Sequence, residues 1–350
     1  MRLGLNLSYL VGADDVSGQL RLTRHAEDLG FDVVWAAEAY GSDSPTLLAW
    51  LAAQTTRIKI GSAVMQIPGR TPALTAMTAA TLDLLSQGRF QLGLGVSGPQ
   101  VSEGWHGVRF AAPLGRTREY VAIIRTALAR ETVSFAGEHY RLPLPDGPGK
   151  ALKLTVAPPR ADLPIYLAAV GPKNLELAGE IADGWLAVFY APDFADEQLA
   201  RLRAGRRRSG RDLGGFDVVP TLPLVVGADA RACADPVRSY AALYLGGMGS
   251  REQNFYNALA VRMGYAEAAG TVQDLYLARR HRDAMAAVPY EFIDSTSLLG
   301  SRERIAERIA VLAASGVTTC SVAPHGDSVE EKVNALTVAA EAFELAGVGG

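Results

Sequence analysis

The sequence predicts a single α/β domain folded as a TIM (β/α)8 barrel, on three observations. Short apolar runs rich in β-branched residues alternate with amphipathic helical stretches along most of the chain, the pattern of a parallel sheet. Eight such runs can be counted and the chain closes on a helical stretch, which is the arithmetic of a barrel. Glycine and polar residues gather directly after the apolar runs, at the strand ends where barrels carry their sites. A doubly wound open sheet seldom needs eight consecutive βα units.

Taken in order, residues 3–8 form the first strand and 16–30 an amphipathic helix with Leu20, Ala26 and Leu29 on one face and Gly30 as its stop. Strands at 33–36, 57–66 and 90–96 alternate with helices at 45–54, 72–85 and 114–129. The rhythm then breaks. Residues 132–142 alternate like a strand pair turning at Ala136–Gly137, and 143–159 are rich in Pro and Gly. The βα rhythm resumes with strands at 165–170 and 185–188 separated by a helix at 174–181, then a helix at 194–208. Residues 216–226 form the seventh strand, which Pro220 and Pro223 should make irregular or bulged. Residues 237–287 are mostly helical and too long for one barrel helix. A helix at 301–314, a last strand at 318–322 and a closing helix at 329–345 complete the chain. The single domain spans 1–350, with insertions at about 132–159 and 249–296.

Composition narrows the function. With 49% hydrophobic and 20% charged residues among 350, the chain has a large core and is not disordered. Its 34 basic and 37 acidic residues nearly balance at −3, which argues against a general binder of nucleic acid. No apolar run approaches the roughly 20 residues that span a bilayer, and the N-terminal one is too short for a signal peptide, so the expectation is a cytoplasmic protein with no membrane partner. Cys233 and Cys320 stand far apart in no metal-like spacing; neither a disulfide scaffold nor a metal site is expected.

The strand ends supply the candidate site. Glu38 follows the second strand beside Tyr40 and Asp43, and Ala63 and Val64 lie in the third. After the fourth come Ser97 and Gly98, then Glu103, Trp105 and His106; after the fifth come Gly171, Pro172 and Lys173. Glu38, Glu103 and His106 are the candidate acid–base groups. His25, His139, His281 and His325 are read as surface residues. Residues 93–98, GLGVSG, match the spacing of a dinucleotide fingerprint, with Glu119 some way on; Pro99, Gly104 and Gly107 argue that no helix opens there, leaving a turn that lets backbone approach a ligand. Gly171-Pro172-Lys173 opens a clear helix whose free N–H groups would attract phosphate. The run Arg203, Arg206, Arg207, Arg208, Arg211 lacks interleaved aromatics and reads as a solvated helix end.

These residues resemble the luciferase-like flavin and deazaflavin oxidoreductases. The resemblance is carried by Pro72-Ala73-Leu74 through Asp83, Leu85 to Phe90, Leu92 to Gly95, Leu29 to Asp32, and Gly171-Pro172-Lys173 through Asp183-Gly184. Residues 98–107, GPQVSEGWHG, are similar to the branch that uses coenzyme F420, including methylene-tetrahydromethanopterin reductase. The resemblance implies a homodimeric barrel acting on a small-molecule substrate by hydride transfer. It places the cofactor on Ala63, Val64, Gly95, Ser97, Gly98, Gly171, Pro172 and Lys173, with a non-proline cis peptide at Ala63–Val64. One departure matters: where luciferase and the F420-dependent sugar dehydrogenases carry a histidine after the strand-two carboxylate, this chain has Ala39. An F420-dependent reductase or dehydrogenase is therefore expected. The alternatives are an FMN-dependent monooxygenase fed by a partner reductase and a flavin-binding barrel without catalysis.

Overall fold

The computed structural model describes residues 1–10 and 12–349, the side chains of Ala13 and Asp14 excepted. Eight parallel strands form the barrel: β1 (Arg2–Asn6), β2 (Val33–Ala36), β3 (Lys59–Ser62), β4 (Phe90–Gly95), β5 (Ile165–Ala168), β6 (Gly184–Val188), β7 (Asp217–Val226) and β8 (Thr319–Pro324). Each pairs with its neighbours in chain order, β8 returns to β1, and β4 pairs with β5, so the sheet closes. The surrounding helices are α1 (Ala13–Asp28), α2 (Ser44–Gln54), α3 (Pro72–Leu85), α4 (Pro113–Leu128), α5 (Pro172–Ile181), α6 (Ala195–Arg208), α7 (Arg302–Ala314) and α8 (Val329–Leu345). Asp43, Thr71, Ser301 and Ser328 cap α2, α3, α7 and α8 by accepting from backbone N–H groups of the first turn. Among the described residues no helix is long and apolar enough to cross a membrane.

The main core lies between strands and helices, and a smaller cluster of Val33, Trp35, Tyr166, Leu186 and Val219 plugs the barrel itself. Trp35 meets Tyr166 edge to face at 5.2 Å. Bulk there is tolerated because facing strands give way. A Cβ on Gly61 would sit 2.4 Å from the Trp35 ring, and one on Gly93 would sit 1.9 Å from the Ser62 carbonyl oxygen. The glycines of the GLG run thus serve strand packing, and a dinucleotide turn has no place in a strand paired on both sides.

The non-proline cis peptide that the resemblance implied at Ala63–Val64 is present: the third strand stops before it at Ser62, and Met65–Gln66 pairs again with β4. Two expectations need correction. The seventh strand, expected to be irregular, is one ten-residue run, because Pro220 falls near the end of its pairing with β6 and Pro223 near the end of its pairing with β8. A helix does open at Gly98, over Pro99–Gly104; proline at the first helical position costs no hydrogen bond, and the helix ends by Gly104.

Two excursions interrupt the barrel. Thr132–Val133 pairs with Leu152–Lys153, and Phe135–Ala136 with Arg141–Leu142, as short antiparallel ribbons. After β7, successive helices run from Ala230 to Ser295, including a π-helical turn at Leu243–Gly247. They bury their own cluster around Val237, Leu245, Leu259 and Phe292, which reaches the barrel through Phe189 at the end of β6.

Candidate active site

The C-terminal ends of the strands form an open mouth. Ser8, Ser97 and Phe189, just past β1, β4 and β6, have φ values of 58°, 60° and 53°, in the left-handed region that side chains disfavour. Such residues cluster where backbone must be held for a ligand.

On the β3–β5 side the mouth has a floor of small residues. Ala63, Val64 and Ala168 pack together over the Trp35 cluster. A Cβ on Gly95 would lie 2.5 Å from Val64 and 3.8 Å from Ala168, so glycine is what lets these strand ends close into a level surface. Next to this floor α5 begins. Gly171 is its N-cap without a side-chain cap and Pro172 fills the first position, leaving first-turn N–H groups unmatched beside the exposed Lys173. Arg262, carried by the helix Phe255–Arg262, donates to the Val170 carbonyl at 3.0 Å and sets a second cation there. Its Nε makes no hydrogen bond and lies 3.8 Å from the Glu197 carboxylate. Nothing in the sequence pattern singled out Arg262, since the contact spans 92 positions. Small side chains at the ends of β3, β4 and β5 thus lie next to a helix start whose N–H groups favour an anion.

The acid–base candidates separate. Glu38, only 10% exposed in its side chain, is gripped by Arg70 and accepts from the N–H groups of Ser44 at 3.2 Å and Gln66 at 3.3 Å. The Gln66 side chain donates to the Glu38 carbonyl at 3.1 Å, and its Oε1 lies 2.9 Å from Nε2 of His106. Glu38 and His106 are thus joined through Gln66 in one network beneath the loop after β4. Glu103 is not part of it: its exposed carboxylate accepts from the Phe110 N–H at 3.0 Å and faces Arg109. Trp105, read as an aromatic wall, is 67% exposed. A groove of about 320 Å³ runs beside the network, lined by Gly69, Arg70, Val96, Phe110, Arg116 and Tyr140 among others.

Over the opposite sector stands a group of aromatic rings. Phe189 packs on Tyr240, Tyr244 and Tyr256, with Tyr240 and Tyr256 at 4.6 and 4.7 Å from Tyr244. Tyr9, in the loop after β1, shares a hydrogen bond with Tyr244. The group therefore bridges from β6 to β1 across the ends of β7 and β8. Burial raises all four phenols above their ordinary value, Tyr256 to about 12, so the wall is uncharged. Asn254 sets it in place by donating to the Tyr244 and Leu245 carbonyls and accepting from the Tyr256 and Asn257 N–H groups, all at 3.0 Å.

Of the four histidines expected at the surface only His281, edge-on to Tyr276, is exposed; His25, bonded to Thr337 on α8 at 2.8 Å, His139, whose ring packs against Gly115, and His325, just past β8, are half-buried.

Residues 1–319 match the luciferase-like monooxygenase family. The chain belongs to that family. A Mycobacterium tuberculosis protein named as a coenzyme F420-dependent oxidoreductase is 46% identical over 330 residues, 91% of this chain and 93% of that one. The 5,10-methylenetetrahydromethanopterin reductase of Archaeoglobus fulgidus is 30% identical over 299 residues, 84% of this chain and 85% of the relative. The solved coenzyme F420-dependent tetrahydromethanopterin reductase of Methanopyrus kandleri superposes with a TM-score of 0.79 at 24% identity, covering 96% of this chain and 97% of that one. Family membership thus extends to the F420-dependent branch, a branch of oxidoreductases, and the shared fold is the barrel described above.

Proposed function

We propose that this protein binds coenzyme F420 at the barrel mouth and transfers hydride between it and a small organic substrate. The observation that carries the reading is the pairing, on one side of the mouth, of the small-residue floor with the uncapped start of α5. Ala63, Val64, Gly95 and Ala168 would support the ring; Gly98 and Ser97 would border it. Gly171, Pro172, Lys173 and Arg262 would take the phosphate, since unmatched N–H groups and two cations favour an anion.

When bound, the deazaflavin supplies a carbon centre that exchanges hydride and reacts poorly with oxygen. The chain's own residues then have three tasks: hold the two reactants in contact, keep water out, and manage a proton. The tyrosine wall serves the first two. The Glu38–Gln66–His106 network keeps the loops after β2, β3 and β4 in register at the edge of the floor. Ala39, in the place of a histidine, removes the base on which an oxygenating reading with FMN would draw. The exposed apolar stripe Leu74, Met77, Leu84 and Leu85 on α3 supports assembly as a homodimer.

Fluorescence titration of the purified protein with F420 and with FMN tests the reading. F420 should bind in the micromolar range or tighter and FMN far more weakly. Tight FMN binding without an F420 signal would select the flavin alternative. F420 binding with no hydride exchange against any carbonyl or alcohol would leave a binding barrel.

A further inference from the structure

The two fully buried tryptophans settle their indole N–H groups differently. Trp185 donates to the Ala169 carbonyl at 2.8 Å, whereas Nε1 of Trp35 has no acceptor among the described residues. A buried indole N–H ordinarily finds a partner. The Trp35 ring lies across the barrel between two glycines. A Cβ on Gly61 would meet its Cε3 and Cζ3 at 2.4 Å, and one on Gly4 would lie 3.4 Å from Nε1. The N–H edge therefore faces β1 at a position that carries no side chain. Ser321 of β8 is the ladder partner of Gly4, and its Cβ lies 3.5 Å from the same point. Its Oγ is buried and likewise unpaired among the described residues. An indole donor and a hydroxyl thus flank the bare backbone of Gly4.

A polar bridge covers this spot on the mouth side. Asn6, the next inward position along β1, donates from Nδ2 to Oγ1 of Thr221 at 3.2 Å. Thr221 belongs to β7, and β8 lies between β7 and β1, so the bond crosses the inner face of β8. Thr221 is itself the ladder partner of Ser321. Asn6 is fixed in turn by the Ser8 N–H, which donates to its Oδ1 at 2.8 Å. The bridge leaves the second amide hydrogen of Asn6 and the hydroxyl proton of Thr221 without an acceptor among the described residues.

We infer that the barrel lumen binds a structural water beside Gly4, which accepts from Nε1 of Trp35 and donates to Oγ of Ser321 beneath the Asn6–Thr221 bridge. Unmatched buried donors and acceptors are costly, and a buried water is held by a few such groups at once. Asn6 and Thr221 have donors left to complete its shell. Glycine at position 4 keeps the room, since a methyl there would stand 3.1 Å from Cγ1 of Val33 and 3.4 Å from Nε1. The water fixes the Trp35 ring about its long axis. That ring belongs to the plug on which Ala63, Val64 and Ala168 pack, so the floor of the mouth is held from within the barrel by a bound molecule.

This water site is independent of the cofactor reading, and its test needs neither F420 nor a substrate. NMR of the isotope-labelled full chain, with the Trp35 indole signal assigned by Trp35→Phe, measures magnetisation transfer from water to each indole proton. Trp35 should show a nuclear Overhauser transfer of the sign given by a rigidly held water. Its N–H should also exchange with solvent far more slowly than that of Trp105, whose side chain stands in solvent. Ser321→Ala separates a wet site from a dry one. Removing an unmatched hydroxyl from a dry core would leave stability equal or higher, whereas removing the acceptor of a bound water should lower the urea midpoint. The same variant should weaken the transfer to Trp35 several-fold and shift the Val64 methyl signals. Absence of transfer to the wild-type Trp35 indole overturns the inference. So does a Ser321→Ala midpoint at or above that of the wild type, or a set of Val64 methyl signals that the substitution leaves unmoved.

Discussion

The guanidinium of Arg70 grips the carboxylate of Glu38, and the same side chain reaches Asp43, so one arginine ties the loop after β2 to the turn after β3. Both members of the Arg70–Glu38 pair are nearly buried, with side chains 14% and 10% exposed. The carboxylate that the sequence offers as a proton donor is thus held in a nearly buried ion pair.

Breaking a pair this deep leaves one charge buried alone, which costs about 3–5 kcal/mol. Glu38→Gln and Arg70→Gln should each lower the unfolding free energy measured by urea denaturation by that order, and the double variant should lose much less than the sum. Activity should fall with stability and with cofactor affinity. A Glu38→Gln protein of full stability that has lost only turnover would restore Glu38 as the acid.

The barrel was legible because each strand is an apolar run with a helical stretch behind it, a signal that local sequence carries. Glu38 and Lys173 stood out because they follow strands, where barrel sites gather, whereas Ala63, Val64 and Gly95 entered through the family resemblance. Partnership was not legible. Nothing local tells that Arg70 fills Glu38 across 32 positions, or that Arg262 meets Val170 across 92. The tyrosines were hidden for another reason. They come from the loop after β1 and two separate helices, and the fold alone brings them to one face.

Glu27 gives a pH-dependent test of how the barrel's underside is held. Burial alone would raise its carboxyl, but the N–H groups of Arg57, Ile58 and Thr56, donating at 2.5, 3.0 and 2.8 Å, bring it below the ordinary carboxylate value. A carboxylate so depressed stabilises the fold fully above the unfolded value of about 4.3, and that contribution is lost as pH falls through the lower folded value. Glu27→Gln should therefore cost about 1.5–3 kcal/mol at pH 7 by the loss of charge-assisted hydrogen bonds. The deficit should shrink as pH drops below 4. Denaturant melts at pH 7 and pH 3.5 decide it; an equal deficit at both would show that packing, not charge, is lost.

The stripe on α3 bears on assembly. Leu74, Met77, Leu84 and Leu85 are 47%, 53%, 45% and 57% exposed along one side of the helix. Four large apolar side chains left in water on one helix face are what a partner surface would cover, at roughly 25 cal/mol for each Å² of apolar area buried. Met77→Glu with Leu84→Glu should convert a dimer into a monomer by light scattering, with little change in the far-ultraviolet spectrum. A wild-type monomer at micromolar concentration would reject the dimer.

Lys173 and Arg262 make the last prediction, because they flank the same helix start in different ways. Lys173 is exposed and belongs to α5 itself, whereas Arg262 is largely covered and bonded to the Val170 carbonyl. An anion at the first turn of α5 gains from the unmatched N–H groups whichever cation is present, so neither variant should abolish binding. Lys173→Ala should weaken F420 affinity by an amount that fades with added salt, since an exposed charge is screened. Arg262→Ala should weaken it by an amount less sensitive to salt, and should also loosen the helix Phe255–Arg262 against the barrel, visible as faster amide exchange there. Hydride transfer at saturating F420 should survive in Lys173→Ala, because the charge binds the phosphate and touches no reacting atom. Loss of turnover at unchanged affinity would move the phosphate away from α5 and leave Lys173 a different task.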